Sequence, residues 1–176
     1  GNYRFSRSGE SATVDESGEP LVSDIYFTRL PIFDETNPDE DNFLFRWAND
    51  IHALTRQATV EQLLLFDAGD AYDSRLTAES ARLLRQQGYF YDADIRAVSQ
   101  CDDSVILEVI TKDTWSLTPS FNFDRSGGDN TYSVGVRDSN LLGRGKLLSI
   151  SDGKDIDRRS TELLYQDNNL LGSRLR

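Results

Sequence analysis

The sequence predicts an α+β unit followed by antiparallel β-hairpins that belong to an incomplete transmembrane β-barrel. Three observations lead there. A strand, helix, helix, strand, strand order fills the first two thirds of the chain. From Thr114 the alternation of polar and apolar residues becomes strict. A short motif then recurs one hairpin apart.

The totals set the frame. The chain has 176 residues, with 30 Asp and Glu against 19 Lys and Arg, a net charge of −11. The cations are scattered and form no basic stripe, which excludes nucleic acid as a partner. The longest clean apolar run, Leu63 to Phe66, falls far short of the roughly 20 residues of a spanning helix. A barrel strand needs only alternate apolar residues, so a barrel remains open to this composition. Cys101 is the sole cysteine. It sits beside Asp102 and Asp103, where nothing favours a thiolate, and reads as an inert turn cysteine. The chain has no methionine and begins Gly1-Asn2, which predicts a processed or excised piece.

Residues 1–20 are polar and broken by Gly18-Glu19-Pro20, a flexible lead-in. Leu21 to Phe33 alternates as a strand, with Ile25 and Phe27 on one face and Asp24, Tyr26 and Thr28 on the other. The acidic stretch Asp34 to Asn42 has Asn37, Asp39 and Asp41 but no central glycine, and Ala48 stands where a calcium loop needs Glu. It reads as a solvated loop. Phe43, Leu44, Trp47, Ile51 and Leu54 form a helical stripe over Asp41 to Leu54. His52, the only histidine, has no second ligand nearby and reads as a packing or hydrogen-bonding residue.

Thr59-Val60-Glu61-Gln62 is a capping box that opens a short helix through Leu63, Leu64 and Phe66. A second helix spans Ser74 to Gln87, with Leu76, Ser80, Leu83, Leu84 and Gln87 inward, and ends at Gly88. Two strands follow. In Tyr89 to Val98, Tyr89, Tyr91, Ala93 and Ile95 share a face, opposite Asp92, Asp94 and Arg96. In Val105 to Thr111, Val105, Leu107 and Val109 share a face. The turn between them makes the two strands antiparallel, and the helices cover one face of a three-stranded mixed sheet.

After Lys112, Trp115, Leu117, Pro119, Phe121 and Phe123 alternate with Thr114, Ser116, Thr118, Ser120 and Asn122. Three aromatics on one face and an all-polar opposite face, over the length of a tilted spanning strand, suit a lipid face and a watery lumen. Tyr132, Val134 and Val136 continue the apolar face in Thr131 to Arg137, and further strands cover Lys146 to Ser151 and Thr161 to Gln166. Gly143-Arg144-Gly145 is a turn, since no Lys-Ser or Lys-Thr follows it as a phosphate loop requires. Asp138-Ser139-Asn140-Leu141-Leu142-Gly143 and Asp167-Asn168-Asn169-Leu170-Leu171-Gly172 are near-copies about 29 residues apart, one hairpin repeat. No nucleophile elbow, triad or metal-ligand set occurs, so the sequence points to no enzyme, cofactor or metal.

The order of these elements resembles the Omp85 superfamily of outer-membrane proteins. The likeness rests on Leu64-Leu65-Phe66-Asp67-Ala68-Gly69-Asp70-Ala71-Tyr72-Asp73, on Glu79-Ser80-Ala81-Arg82-Leu83-Leu84-Arg85 and on Gly88-Tyr89-Phe90-Tyr91-Asp92-Ala93. Val105 to Val109 and Asp138 to Gly145 complete it. It implies a POTRA-like β-α-α-β-β domain over 21–112, with an extra helix, and the opening strands of the barrel over 113–176. The Asp34 to Gln57 insertion is longer than the family's usual link.

The resemblance also implies an outer-membrane location in a Gram-negative cell, with residues 1–112 in the periplasm. Its implied role is a binding module for outer-membrane protein assembly or translocation. The partners would be unfolded outer-membrane or secreted polypeptides or periplasmic proteins, together with outer-membrane lipid around the full barrel. The candidate binding edge is Tyr89, Phe90, Tyr91, Asp92, Ala93, Asp94, Ile95 and Arg96, where an extended peptide would add as a strand. Asp92, Asp94 and Arg96 read equally as gatekeepers against such pairing. The alternative is a structural domain that positions or plugs a barrel without a client. The membrane-facing candidates are Trp115, Leu117, Phe121, Phe123, Tyr132, Val134 and Val136. Four strands cannot close a barrel, so their apolar face is expected to hide against the first domain, a second chain in an oligomer, or detergent.

Overall fold

The computed structural model describes residues 11–33, 43, 52–101, 103–126 and 129–167. The chain forms two compact units. Gly1–Leu30 and Leu63–Lys112 make the first, and Pro31–Gln62 and Asp113–Arg176 the second. The division is not one cut in the chain: Pro31–Gln62, read from sequence as part of the first domain, groups with the later strands.

The first unit holds a three-stranded sheet of order β1-β3-β2, built from β1 (Leu21–Leu30), β2 (Phe90–Cys101) and β3 (Ser104–Asp113). β1 runs parallel to β3, from Leu21 opposite Ser104 to Leu30 opposite Lys112, with a bulge between Val22 and Asp24. Parallel neighbours need a long crossover, and the chain between Leu30 and Ser104 supplies it. β2 and β3 are sheet neighbours separated by two residues, a spacing only an antiparallel hairpin permits.

Val105, Leu107 and Val109 alternate into the core as their spacing requires, with Val22, Leu64, Phe66 and Leu84 buried in the same unit. The long helix of this unit covers Ser74–Arg85, with Asp73 as its N-cap. Its buried stripe is Thr77, Ser80, Ala81 and Leu84, whereas Leu76 is exposed. The inward face is therefore rotated from the one read off the leucines. Small residues at 3 and 4 spacing let the helix lie close to the sheet. The buried Ser80 hydroxyl is used by the Leu65 amide, which donates to Ser80 Oγ at 2.9 Å.

Residues 1–10 of the lead-in lie outside the described residues. Asp15 caps a 3₁₀ turn at Glu16–Gly18 by accepting from the Ser17 amide.

The second unit holds a meander of order β4-β5-β6-β7: β4 (Leu117–Ser126), β5 (Asp129–Asp138), β6 (Leu147–Lys154) and β7 (Arg159–Gln166). Every neighbouring pair is antiparallel. The sheet is open. Gly135 sits between Ser120 and Ser151, and a Cβ there would lie 2.9 Å from Ser120 Oγ and 3.0 Å from Ser151 Cβ. Its missing side chain lets the polar face close up at that row.

Two expectations change in this unit, and a third falls mostly outside the described residues. The short helix, Gln57–Glu61, starts before Thr59 and ends before Leu63, so Leu63, Leu64 and Phe66 are not helical. Thr59 is buried inside it and its hydroxyl donates to Gly143 O at 3.0 Å instead of capping. Of the helix expected over Asp41 to Leu54, and of the acidic loop before it, all but Phe43 and 52–54 lies outside the described residues, and 52–54 are not helical. The apolar face of the meander does not hide: Phe121 and Phe123 are 80% and 70% exposed. A single open layer of strands has nothing to place over them.

Candidate functional site

The candidate edge residues fall on β2 and the residue before it. β2 is a true sheet edge, since β3 lies between it and β1. Tyr89 and Phe90 are both buried, their ring centroids 4.8 Å apart. Two successive inward residues break the period of two, so Tyr91 turns out, 54% exposed, with Lys112 Nζ 5.9 Å from its ring centroid. The shared inward face read for Tyr89 and Tyr91 is thus corrected by an irregularity at the strand start. Asp92 Oδ1 accepts from the Ala93 amide at 2.8 Å, a local bond that strengthens the irregularity.

Arg96 is committed to the sheet. Its Nε and a terminal nitrogen donate to Glu108 Oε2 at 2.8 and 2.7 Å, while Thr28 Oγ1 donates to Glu108 Oε1 at 2.6 Å. One polar row therefore ties all three strands. The Thr28 hydroxyl first, and Arg96 after it, hold the Glu108 carboxyl below the usual range.

The outer edge of β2 already has donors on it. Arg85 donates to Ala93 O at 2.7 Å, and the Ala12 amide donates to Ala97 O at 2.9 Å. Ala93 and Ala97 lie an even number of residues apart, so their carbonyls share the side facing away from β3. Sequence reading missed Arg85 and Ala12. The only signal was the helix and lead-in placement, which pattern alone does not orient.

The membrane-facing candidates form cross-strand rows. Phe123 pairs with Tyr132, Phe121 with Val134, and Pro119 with Val136, which pairs on with Ile150 and then Leu163. The opposite face carries the row Ser120, Gly135, Ser151, Glu162 and a polar concavity of about 310 Å³. Trp115 precedes β4 and lines, together with Leu117, His52, Asp138 and Asn140, a cavity of about 80 Å³.

Beside that cavity lies a buried polar network. Asp113 Oδ2 meets His52 Nε2 at 2.9 Å, the Thr55 amide at 2.7 Å and the Thr55 hydroxyl at 2.8 Å. Asn140 Nδ2 donates to Thr55 Oγ1 at 2.7 Å, and Asn140 Oδ1 accepts from the Gly145 amide. These bonds tie His52 and Thr55 to Asp113 and anchor the first copy of the repeated motif. Gly143 O accepts from the Arg56 amide at 2.8 Å. His52 is a hydrogen-bonding histidine, and among the described residues no three metal-ligating side chains converge. No described helix is long and apolar enough to cross a membrane.

No family model and no curated protein matches the chain. Solved structures do. The crystal structure of BamA from Haemophilus ducreyi lacking POTRA domains 1–3 is similar over 87% of this chain, with 18% identity and a TM-score of 0.60. CdiB from Acinetobacter baumannii is similar over 85%, with 14% identity and a TM-score of 0.50. The chain spans 25% and 26% of those two proteins. At these identities the likeness is one of fold.

Proposed function

We propose that this chain joins a POTRA-type periplasmic unit to the opening strands of an outer-membrane barrel, and that it serves outer-membrane protein assembly or translocation by β-strand addition. One observation carries the reading. A mixed β1-β3-β2 sheet with a crossover helix is followed, in the same chain, by a meander with the row Pro119, Val136, Ile150, Leu163 and the β4–β5 pairs Phe121–Val134 and Phe123–Tyr132 on one face, these two pairs running on to Asp152 and Lys154 in β6, and the row Ser120, Gly135, Ser151, Glu162 on the other. In a complete barrel, Phe121, Phe123, Val134, Val136, Ile150 and Leu163 would face lipid, and residues 1–112 would lie in the periplasm. The partners are unfolded outer-membrane or secreted polypeptides, or periplasmic proteins. No catalytic step is assigned.

The binding chemistry is that of a sheet edge. Backbone donors and acceptors on β2 give affinity for any extended segment, and side-chain pockets at alternate positions select among them. A photo-crosslinking residue at Ile95 in the full-length protein, in its native membrane, tests this. Capture of unfolded barrel polypeptides supports strand addition. A clean Ile95 position, with the barrel correctly inserted, overturns it.

A second reading has its own support. Arg85 on Ala93 O and Ala12 on Ala97 O occupy the edge from within the chain. That favours a structural unit that positions or plugs the barrel, and the same crosslinking result decides between the two.

A further inference from the structure

Residues Ser11 to Asp15 lie along β2 as an extra, short strand-like segment. Ala12 N–H donates to Ala97 O at 2.9 Å and Asp15 N–H donates to Gln100 Oε1 at 2.9 Å. The Gln100 amide returns a bond, Nε2 donating to Asp15 O at 3.3 Å. Both pairs are 85 residues apart, so the segment runs parallel to β2. Burial alternates along it, with Ala12 and Val14 half-buried and Ser11 and Thr13 exposed. At Asp15 the chain turns, using that carboxylate as its cap. It passes the tip of the β2–β3 hairpin, where Leu21 N–H donates to Asp103 O at 2.7 Å, and enters β1. The lead-in therefore straddles the hairpin tip.

We propose that Ser11–Asp15 is a latch: a displaceable strand of the chain's own that occupies the Ala97–Gln100 stretch of the β2 edge and competes there with an external extended segment of the same kind. The observations define that competitor. It runs parallel to β2 and carries small apolar residues at alternate positions, as Ala12 and Val14 do. It meets the Gln100 side chain with its backbone. Among the described residues the latch is held by one backbone bond and by the Gln100 side-chain amide, and neither Ala12 nor Val14 is fully buried. Such a segment opens locally without unfolding the sheet. Gln100 is the selective element, because a single primary amide both accepts from and donates to one residue's backbone, as a neighbouring strand would. The competition rests on the strand-addition reading; the latch itself does not.

The test uses the full chain in detergent micelles and, as probe, a fluorescent peptide with the sequence of residues 8–15. Ala12→Pro removes the donor to Ala97 O; Gln100→Ala removes the bracket on Asp15. Far-UV circular dichroism checks that each variant folds. In the intact chain, hydrogen exchange at the Ala12 and Asp15 amides is expected to be at least about tenfold slower than at Thr13. Gln100→Ala is expected to abolish the difference at Asp15. The peptide is expected to bind Ala12→Pro at least about tenfold more tightly than the intact chain, and to lose that binding in the double variant. Equal exchange at the three amides, equal affinity of the two chains, or no binding to Ala12→Pro overturns the proposal. Protected amides with no client crosslink at Ile95 would remove the assembly function and leave the latch. A crosslink with unprotected amides would do the reverse.

Discussion

Thr55 gives both its backbone amide and its hydroxyl to one oxygen of Asp113, at 2.7 and 2.8 Å. The Asp113 side chain is fully buried and His52 shares the same oxygen. All three donors meet Oδ2, whereas Oδ1 of Asp113 is buried with no hydrogen-bond partner, so the site depends on what Oδ2 accepts. Asp113→Ala strands the Thr55 amide and the His52 ring in a buried site, and is expected to cost about 1–3 kcal/mol. Asp113→Asn, which keeps one acceptor oxygen, is expected to cost less. Denaturant unfolding of the micellar protein, followed by tryptophan fluorescence, measures both. Equal stability of Asp113→Ala and the parent chain would remove the network's structural role.

Gly143 adopts a φ of +71°, and a Cβ there would collide with the carbonyl oxygen of Leu54. Gly143→Ala combines a left-handed backbone with a backbone clash that no rotamer change relieves. A destabilisation of about 2 kcal/mol or more is expected. Gly88, which has open space at its Cβ position, is the control: Gly88→Ala is expected to change stability by less than about 1 kcal/mol.

Glu108 links the pH dependence of the first unit to its geometry. Its carboxyl is held low by Thr28 and then Arg96, and the Arg96 and Glu108 side chains are only 16% and 18% exposed. A depressed folded-state value means that the stabilisation is complete above the ordinary glutamate range, near about 4.3. It is lost as pH falls from there through the lowered value. Glu108→Gln is expected to lower stability at neutral pH and to flatten the acid limb of the stability profile between about pH 5 and pH 3. An unchanged acid limb would show that other carboxylates set it.

The two faces of the meander make opposite demands. Val134 stands beside Phe121 on the apolar face, while Ser133 stands beside Asn122 on the polar one. In the barrel proposed above, Val134→Arg is expected to cost about 2–4 kcal/mol of insertion stability if it lies near the midplane, as lipid-facing cations do. Ser133→Arg is expected to be tolerated. Folding into lipid vesicles, read by heat-modifiable electrophoretic mobility, separates them. Equal penalties at the two sites would sink the lipid-face assignment.

Alternation fixed which residues share a face wherever the strands were regular. Val105, Leu107 and Val109 turned inward as their spacing required, and Phe121, Phe123, Tyr132 and Val134 lined one face of the meander. The period failed where local chemistry intervened. Asp92 bonds its neighbour's amide, and Tyr91 leaves the face that simple counting assigned to it. On the helix, Ser80 and Leu84 turned inward as read, but Leu76 did not. Leucines attract a pattern-based reading, but the sheet accepts the small stripe Thr77, Ser80 and Ala81 closer than it would accept Leu76.

The candidate edge was legible as a strand but not as an edge with occupants. Arg85 on Ala93, Ala12 on Ala97 and Gln100 on Asp15 are contacts between residues near and far in the chain, and no local period encodes them.

The sequence by itself determined the order of the described strands, their mixed and antiparallel pairings and the two faces of the meander, because side-chain alternation and loop length are local constraints. Only the tertiary structure decided that Pro31–Gln62 groups with the later strands, that His52 and Thr55 answer to Asp113, and that the β2 edge is already latched. The physical reason is that a buried carboxylate or an exposed strand edge takes whatever donor the folded chain brings within about 3 Å, and only the fold determines which donor that is.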